Sequence, residues 1–137
     1  MEDNEISGYG NGVSISLADT DTVTGNQIKM KKTSAYSNLG IYAKDARGTV
    51  ITGNTVSGTA NAGIYINEAR YAKGSGEKNL VSDNGVSAAG GDGIYLQSVN
   101  AASTAEEKYG WKSAGGSGIR VKIRRKHPAI LGNTLRL

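Results

Sequence analysis

The chain has 137 residues, the length of a single domain, and a formal net charge of +4. It has no cysteine, which excludes disulfides, and its 20 glycines against one proline indicate many turns and no proline-rich linker. Its longest apolar runs are only a few residues, which excludes a transmembrane helix and gives no reason to expect a membrane partner. The acidic, polar start MEDNEISGYG predicts no signal peptide in this chain.

Charge is divided unequally between the two ends of the chain. Residues 1–22 hold five acidic and no basic residues, whereas residues 108–137 hold eight basic and no acidic ones. A basic tail is one signature of nucleic-acid binding. Here only RVKIRRKH (120–127) is densely basic, and no recognised nucleic-acid module accompanies it. We therefore expect a solvated basic edge and disfavour nucleic acid as a partner, while the role of residues 120–126 stays open.

Two short motifs alternate along the chain. The first motif is an apolar residue, any two residues, Asn, any one residue and a second apolar residue. The second motif is Gly followed by three residues with a strand-like pattern. In chain order they are MEDNEI (1–6), GVSI (12–15), VTGNQI (23–28), GIYA (40–43), ITGNTV (51–56), GIYI (63–66), VSDNGV (81–86), GIYL (93–96), GIRV (118–121) and ILGNTL (130–135). The GIY-type copies lie 23 to 30 residues apart from Ile41 onward. Such variable spacing between fixed motifs predicts a repeat whose loops differ in length.

Each motif has the pattern of β-strands. GIYI (63–66) places its two isoleucines on one face and its tyrosine on the other, the strand period of two. The Asn motif predicts a strand, a bend and a second strand, with Gly and Asn at the bend because both tolerate a left-handed backbone. STAEEKYGWK (103–112) differs, since Ser103 and Thr104 each precede a glutamate by three residues. This is a capping-box pattern. Because the stretch also lacks the Asn motif, we expect either a degenerate coil or an excursion with a short helix near residues 103–112.

An all-β solenoid is the fold class that these strands favour. We predict one domain over residues 1–137, with five to six coils stacked about 4.8 Å apart as parallel strands are. At the bend we expect an asparagine ladder, formed by Asn4, Asn26, Asn54, Asn84 and Asn133. Four interior columns are expected: Ile41/Ile64/Ile94/Ile119, Ala43/Ile66/Leu96/Val121, Met1/Val23/Ile51/Val81/Ile130 and Ile6/Ile28/Val56/Val86/Leu135.

The alternation of GIY strands with V/I-T-G-N-T/Q-V/I bends resembles the right-handed parallel β-helix, or pectin-lyase-like, superfamily. The resemblance covers nearly the whole chain, with residues 97–117 as its weakest part. Members of that superfamily include polysaccharide lyases, polygalacturonases, alginate epimerases, phage tailspikes and surface adhesins. The resemblance implies an extracellular, cell-surface or virion location and a polysaccharide partner lying along the outer face of one parallel sheet. Fold alone does not give function, so the site is argued from its own residues.

Outward positions of the GIY strands form two columns that we predict to bind a ligand. The columns begin at Ser14 and Ser16; their predicted ligand-binding members are Tyr42, Tyr65, Tyr95 and Arg120 in the first, and Asn67, Gln97 and Lys122 in the second. Tyrosine ring faces pack on sugar C–H surfaces, while Lys, Asn and Gln bond hydroxyls or carboxylates. Two alternatives stay open: the tyrosines stack only on one another, or they bury against a second protomer.

Catalysis is left open by the sequence. Lys44, Asp45, Glu68 and Arg70 are the candidate catalytic residues, because lyases and epimerases of the resembled family need a basic residue and carboxylates. No cofactor is expected, with calcium as the one option that carboxylates would allow. The Asp-Pro-His-Asp of alginate epimerases and the acidic pairs of polygalacturonases are missing, and His127 stands alone in a basic loop. The alternative function is a non-catalytic structural or adhesive β-helix, such as a phage tail fibre or tailspike part.

The two ends of the predicted solenoid carry no capping element. Met1 already occupies a core position, and the sequence stops two residues after Leu135. Open strand edges and apolar columns at a solenoid end are normally covered. We therefore expect either a fragment of a longer β-helix or a homo-oligomer, formed by lateral or by head-to-tail contact of the acidic first coil with the basic last one.

Overall fold

The computed structural model describes residues 1–17, 19–32, 38–46, 48–67, 79–99, 104–106, 119–123 and 135–136, the side chains among them reaching as far as residue 97. These residues form short strands and no helix. The strands are β1 (Glu5–Gly8), β2 (Val13–Ser16), β3 (Thr22–Thr24), β4 (Gln27–Met30), β5 (Ile41–Lys44), β6 (Val50–Thr52), β7 (Thr55–Ser57), β8 (Ile64–Asn67), β9 (Leu80–Ser82), β10 (Gly85–Ser87), β11 (Ile94–Val99), β12 (Thr104–Glu106), β13 (Ile119–Ile123) and β14 (Leu135–Arg136).

The strands assemble into three parallel sheets that the chain visits in turn. Sheet I has the order β2-β5-β8-β11-β13, sheet II the order β3-β6-β9-β12-β14, and sheet III the order β1-β4-β7-β10. Every strand pairs with the equivalent strand one coil away, and every pairing is parallel. Successive coils therefore stack along one axis, which confirms the predicted solenoid. No helix in the described part of the chain has the length and apolarity needed to cross a membrane.

The interior is filled by columns of identical or similar apolar side chains. Ile41, Ile64 and Ile94 are in register on sheet I and all are fully buried. Sheet II has a second such buried pair in register, Ile51 and Val81, and sheet III has a third, Ile28 and Val56. Strands such as β2, β4, β5 and β8 bury every second residue, so the period-two prediction holds there. Burying one such aliphatic side chain is worth about 1.5–3 kcal/mol.

A glycine opens each GIY strand because the neighbouring coil leaves no room for a side chain. A Cβ built on Gly40 lies 2.2 Å from Val56 Cγ1 and 2.5 Å from the carbonyl oxygen of Gly63. At Gly63 the corresponding distances are 2.3 Å to Val86 Cγ1 and 2.8 Å to the Gly93 oxygen. Sheet III packs against the start of sheet I at this point, so the Gly of the repeat is a packing requirement.

The bend between sheets II and III carries the predicted asparagine ladder. The Nδ2 groups of Asn4, Asn26 and Asn54 each donate to the Oδ1 of the next asparagine along the axis, at 2.9 Å. The same oxygens accept the backbone N–H of the preceding asparagine at 3.0 Å. The left-handed residue at each bend is the one before the asparagine: Asp3, Gly25, Gly53 and Asp83 have φ of 49°, 67°, 65° and 54°. The glycine of the bend therefore adopts the left-handed backbone that the pattern suggested, and Asp takes its place in two coils.

Three predictions about the coils need correction. Thr104–Glu106, expected in a degenerate coil or in a helical excursion near 103–112, is strand β12 and pairs with β9 as the next rung of sheet II, so the helical alternative is wrong for these residues. Met1 stands opposite Val23 in the expected column, but its side chain is 54 % exposed and so is not part of the interior. Leu135 pairs with Ala105, in the column of Val81 and not that of Val86. Residues 107–112, Ile130 and Asn133 lie outside the described residues.

Candidate functional site

The outer face of sheet I carries the two predicted ligand-binding columns in register. Ser14, Tyr42, Tyr65, Tyr95 and Arg120 are paired in that order across five strands. Ser16, Lys44, Asn67, Gln97 and Lys122 form the second column on the same strands. For Arg120 and Lys122 the structure gives the strand register only. The column arrangement is as predicted; whether it binds a ligand stays a prediction.

The three tyrosine rings form a continuous stack along the solenoid axis, which we call the tyrosine ladder. The ring centroids of Tyr42 and Tyr65 are 5.3 Å apart with planes inclined by 30°. Those of Tyr65 and Tyr95 are 5.0 Å apart with planes inclined by 8°. Each ring is partly exposed. Stacked aromatic pairs of this kind add about 0.5–1.5 kcal/mol beyond burial, so the ladder ties three successive coils together.

The middle tyrosine is fixed by its hydroxyl as well as by its ring. Tyr65 donates a hydrogen bond from its hydroxyl to Oε1 of Gln97, a residue of the next coil. Burial raises the pKa of Tyr65 above 10.0, the neighbouring Tyr42 and Tyr95 raise it further, and a hydrogen bond with Asn67 opposes them. The Tyr65 hydroxyl therefore stays neutral and keeps its donor role at physiological pH. Asn67 and Gln97, predicted to bond a ligand, are both engaged with the ladder.

Stacking determines which parts of the tyrosine rings a ligand can reach. Both faces of Tyr65 are covered by the flanking rings, since stacked rings at 5.0 and 5.3 Å leave no space for a sugar between them. The expected packing of sugar C–H groups on every ring face therefore does not fit the middle ring. The ladder presents ring edges along its length, and a ring face without another tyrosine stacked on it occurs in the ladder only at its ends, Tyr42 and Tyr95.

The structure describes two of the four predicted catalytic residues, Lys44 and Asp45. Lys44 ends β5 with an exposed side chain on the same outer face as the tyrosine ladder. Asp45 follows it in a left-handed turn, with φ of 51°, and its N–H donates to the carbonyl oxygen of Asn67 at 2.7 Å. Glu68 and Arg70 lie outside the described residues, so a convergence of the four groups stays a prediction.

Metal-ligating side chains do not cluster in the described ranges. Within them no group of three or more His, Asp or Glu residues is placed to hold a metal ion. An ion pair joins Lys29 and Glu5 at 3.4 Å on sheet III, a different sheet from the one that carries the tyrosine ladder. The calcium option accordingly has no ligand set among these residues.

Several asparagines that organise the turns were not singled out from the sequence. Asn38 is buried and its Nδ2 donates to the carbonyl oxygens of Tyr9 and Lys31, both at 3.1 Å. Asn79 is buried too, and its Oδ1 accepts the N–H of Thr49 at 2.8 Å. Asn11 lies beside the ladder column, with its Nδ2 3.5 Å from Ser14 Oγ. None lies in a repeated motif, so the only sequence signal was an Asn shortly before a strand.

Comparison with known proteins agrees with this geometry. The family model described as "Right handed beta helix region" matches residues 1–135. No curated protein and no solved structure matches the chain. The three parallel sheets, visited in turn by successive coils, agree with that description. With nearly its whole length matched, the chain belongs to the right-handed β-helix family.

Proposed function

We propose that this β-helix binds an extended polysaccharide along the outer face of sheet I, outside the cell, at a cell surface or on a virion. The observation that carries the proposal is the tyrosine ladder, with its flanking column of Lys44, Asn67 and Gln97 in register. A polymer with a repeating unit is matched by a surface that repeats its own groups once per coil. The ladder supplies hydroxyls and apolar ring edges, and the second column supplies a cation and amides.

The rigidity of the ladder supports a binding role. Tyr65 is held by two rings and by Gln97, so its position changes little when a ligand arrives. A preorganised surface loses less side-chain entropy on binding than a mobile one. Lys44 is exposed next to the ladder and suits a carboxylate or a sulfate on the polymer.

A structural or adhesive role without catalysis is the second candidate. The observation that favours it is the same stacking, because rings that cover one another stabilise neighbouring coils whether or not a ligand binds. Modification of the polymer by Lys44, Asp45, Glu68 and Arg70 belongs to the first candidate as an extension. It requires those four groups to meet over the sheet.

Binding to a glycan array, followed by calorimetry on the best ligand, separates the two candidates. Under the first, the wild type binds at least one acidic or neutral polysaccharide, and Lys44→Ala weakens an acidic ligand several-fold. Lys29→Ala is the matched control, because Lys29 is equally a strand lysine with an exposed side chain, but lies on sheet III. Its affinity should equal that of the wild type.

Two results would contradict the proposed binding site. If no glycan binds, or if Lys44→Ala and Lys29→Ala weaken binding equally, the outer face of sheet I is not the site. The structural candidate then stands. An assay for unsaturated products on pectate and alginate tests the enzymatic extension, which fails if the polymer is bound and left intact.

A further inference from the structure

The two ends of the tyrosine ladder differ in what stands next to them. At one end Arg120 follows Tyr95 in register on β13. At the other end Ser14 precedes Tyr42 in register on β2, the outermost strand of sheet I. Ser14 is exposed, and its side chain has only one carbon and one oxygen beyond Cα. A hydroxymethyl group is too small to cover a phenol ring, so no side chain in register covers the face of Tyr42 turned toward Ser14, which we call its open face.

Polar groups surround this open face. Ser14 Oγ lies 3.5 Å from the amide of Asn11, and Ser16 is exposed two residues further along the same strand. Lys44 is the register partner of Ser16 on the neighbouring strand and is exposed as well. An aromatic face with hydroxyls, an amide and an ammonium group at its rim has the chemistry of a pyranose site. The ring covers the C–H face of the sugar, and the rim bonds its substituents.

Tyr9 provides a useful contrast among the described tyrosines. It is 53 % exposed, more than any tyrosine of the ladder, yet Nζ of Lys31 lies over its ring at 5.4 Å from the centroid. A cation at this distance is held by the ring itself. Exposure alone therefore does not identify an aromatic platform; what distinguishes Tyr42 is a small neighbour on one side and a stacked ring on the other.

We propose that the face of Tyr42 turned toward Ser14 is a stacking subsite for one pyranose ring, with Ser14, Ser16 and Asn11 bonding its hydroxyls. The proposal rests on the proposed polysaccharide binding and assigns its anchor point. Tyr65 and Tyr95 then act as positioning residues. They fix the orientation of the Tyr42 ring by stacking beneath it, and Tyr65, stacked on both sides, has no face left for the sugar.

Extending the ladder by one ring tests this assignment directly. Ser14→Tyr places a fourth tyrosine in register over Tyr42, which covers the open face. Affinity for galacturonate and β-1,4-glucose hexasaccharides, measured by calorimetry, is expected to fall by at least about tenfold for whichever binds the wild type. The thermal midpoint is expected to hold or rise, because the new ring adds a stacking contact.

Matched variants keep the result interpretable. Ser14→Ala leaves the face open and should stay within about threefold of the wild type, since one hydrogen bond is lost. Ser7→Tyr adds an exposed tyrosine to sheet III and should leave affinity unchanged. If Ser14→Tyr loses the wild-type circular dichroism spectrum, Ser14→Leu covers the same face with an aliphatic group.

The outcomes separate the subsite from the function on which it rests. Full affinity in Ser14→Tyr, or in Ser14→Leu, with binding by the wild type retained, overturns the Tyr42 subsite and leaves polysaccharide binding standing. Equal loss in Ser14→Tyr and Ser7→Tyr overturns it as well. Failure of the wild type to bind either hexasaccharide or any arrayed glycan overturns both proposals.

Discussion

Two ladders of identical side chains run along this β-helix, and they differ in what surrounds them. The asparagine ladder at the bend between sheets II and III is buried: Asn26, Asn54 and Asn84 are at most 1 % exposed. Its amides bond one another and the backbone of adjacent coils. The tyrosine ladder on sheet I repeats in register in the same way, but each of its three residues is partly exposed. The same repetition therefore serves stability where it is buried and offers a recognition surface where it is not.

Breaking the buried ladder should give the largest effect on stability. Asn54→Ala removes the oxygen that accepts the N–H and Nδ2 of Asn26, and leaves the carbonyl oxygens of Val23 and Thr52 without this donor. Several buried polar groups lose a partner at once, so we expect a loss on the order of 3–5 kcal/mol in unfolding free energy. Urea unfolding followed by circular dichroism measures it.

The exposed end of the same ladder provides the control. Asn4 donates to Glu2 and Asn26 but is itself exposed, so water replaces what Asn4→Ala removes. We expect a loss of about 1 kcal/mol or less. Equal losses at Asn4 and Asn54 would contradict the view that burial gives the ladder its stabilising role.

A methyl group inserted beneath the tyrosine ladder should come next in size. Gly63 immediately precedes β8, and a Cβ there meets Val86 Cγ1 at 2.3 Å and the Gly93 oxygen at 2.8 Å. Gly63→Ala must push β8 outward and is expected to cost about 1–3 kcal/mol. Gly85→Ala is the control, because no atom lies within 4 Å of its added Cβ, and its unfolding midpoint should be unchanged or slightly higher.

Removal of the central ring of the exposed ladder should have a smaller effect on stability. Tyr65→Ala loses both stacking contacts, for which we expect about 1–2 kcal/mol in urea unfolding. Tyr65→Phe keeps the rings and loses only the bond to Gln97, so it should retain most of that stability. A Phe variant as unstable as the Ala variant would place the stabilisation in the hydroxyl and not in the stack.

The smallest expected effect is a pH dependence of stability. The pKa of Tyr65 is raised above 10.0 in the folded chain, chiefly by burial, so the folded state holds this proton more tightly than the unfolded state. The stabilisation is fully present below pH 10.0 and is lost as pH rises from there through the raised pKa. Tyr65→Phe should lose less stability over that window than the wild type. Parallel curves for the two proteins would contradict the assignment.

Much of the fold was predictable because its determinants are local and repeated. Ile64 and Ile66 alternate with Tyr65 in four consecutive residues, and the alternation alone assigns the buried and the outer face. The failed predictions fall where the repeat gives no local signal. Thr104–Glu106 has the sequence of a helix start, yet β9 offers it a free strand edge, and sheet pairing prevails over the capping pattern.

The candidate site divides in the same way between sequence and structure. By itself the sequence determined which residues share a coil position, since one residue per repeat fixes the columns of Ser14, Tyr42, Tyr65 and Tyr95. Only the tertiary structure decided how the rings of that column are oriented. Ring planes depend on side-chain torsions and on contacts across coils, so the covered faces of Tyr65 follow from packing between residues that lie 23 or more positions apart in the chain.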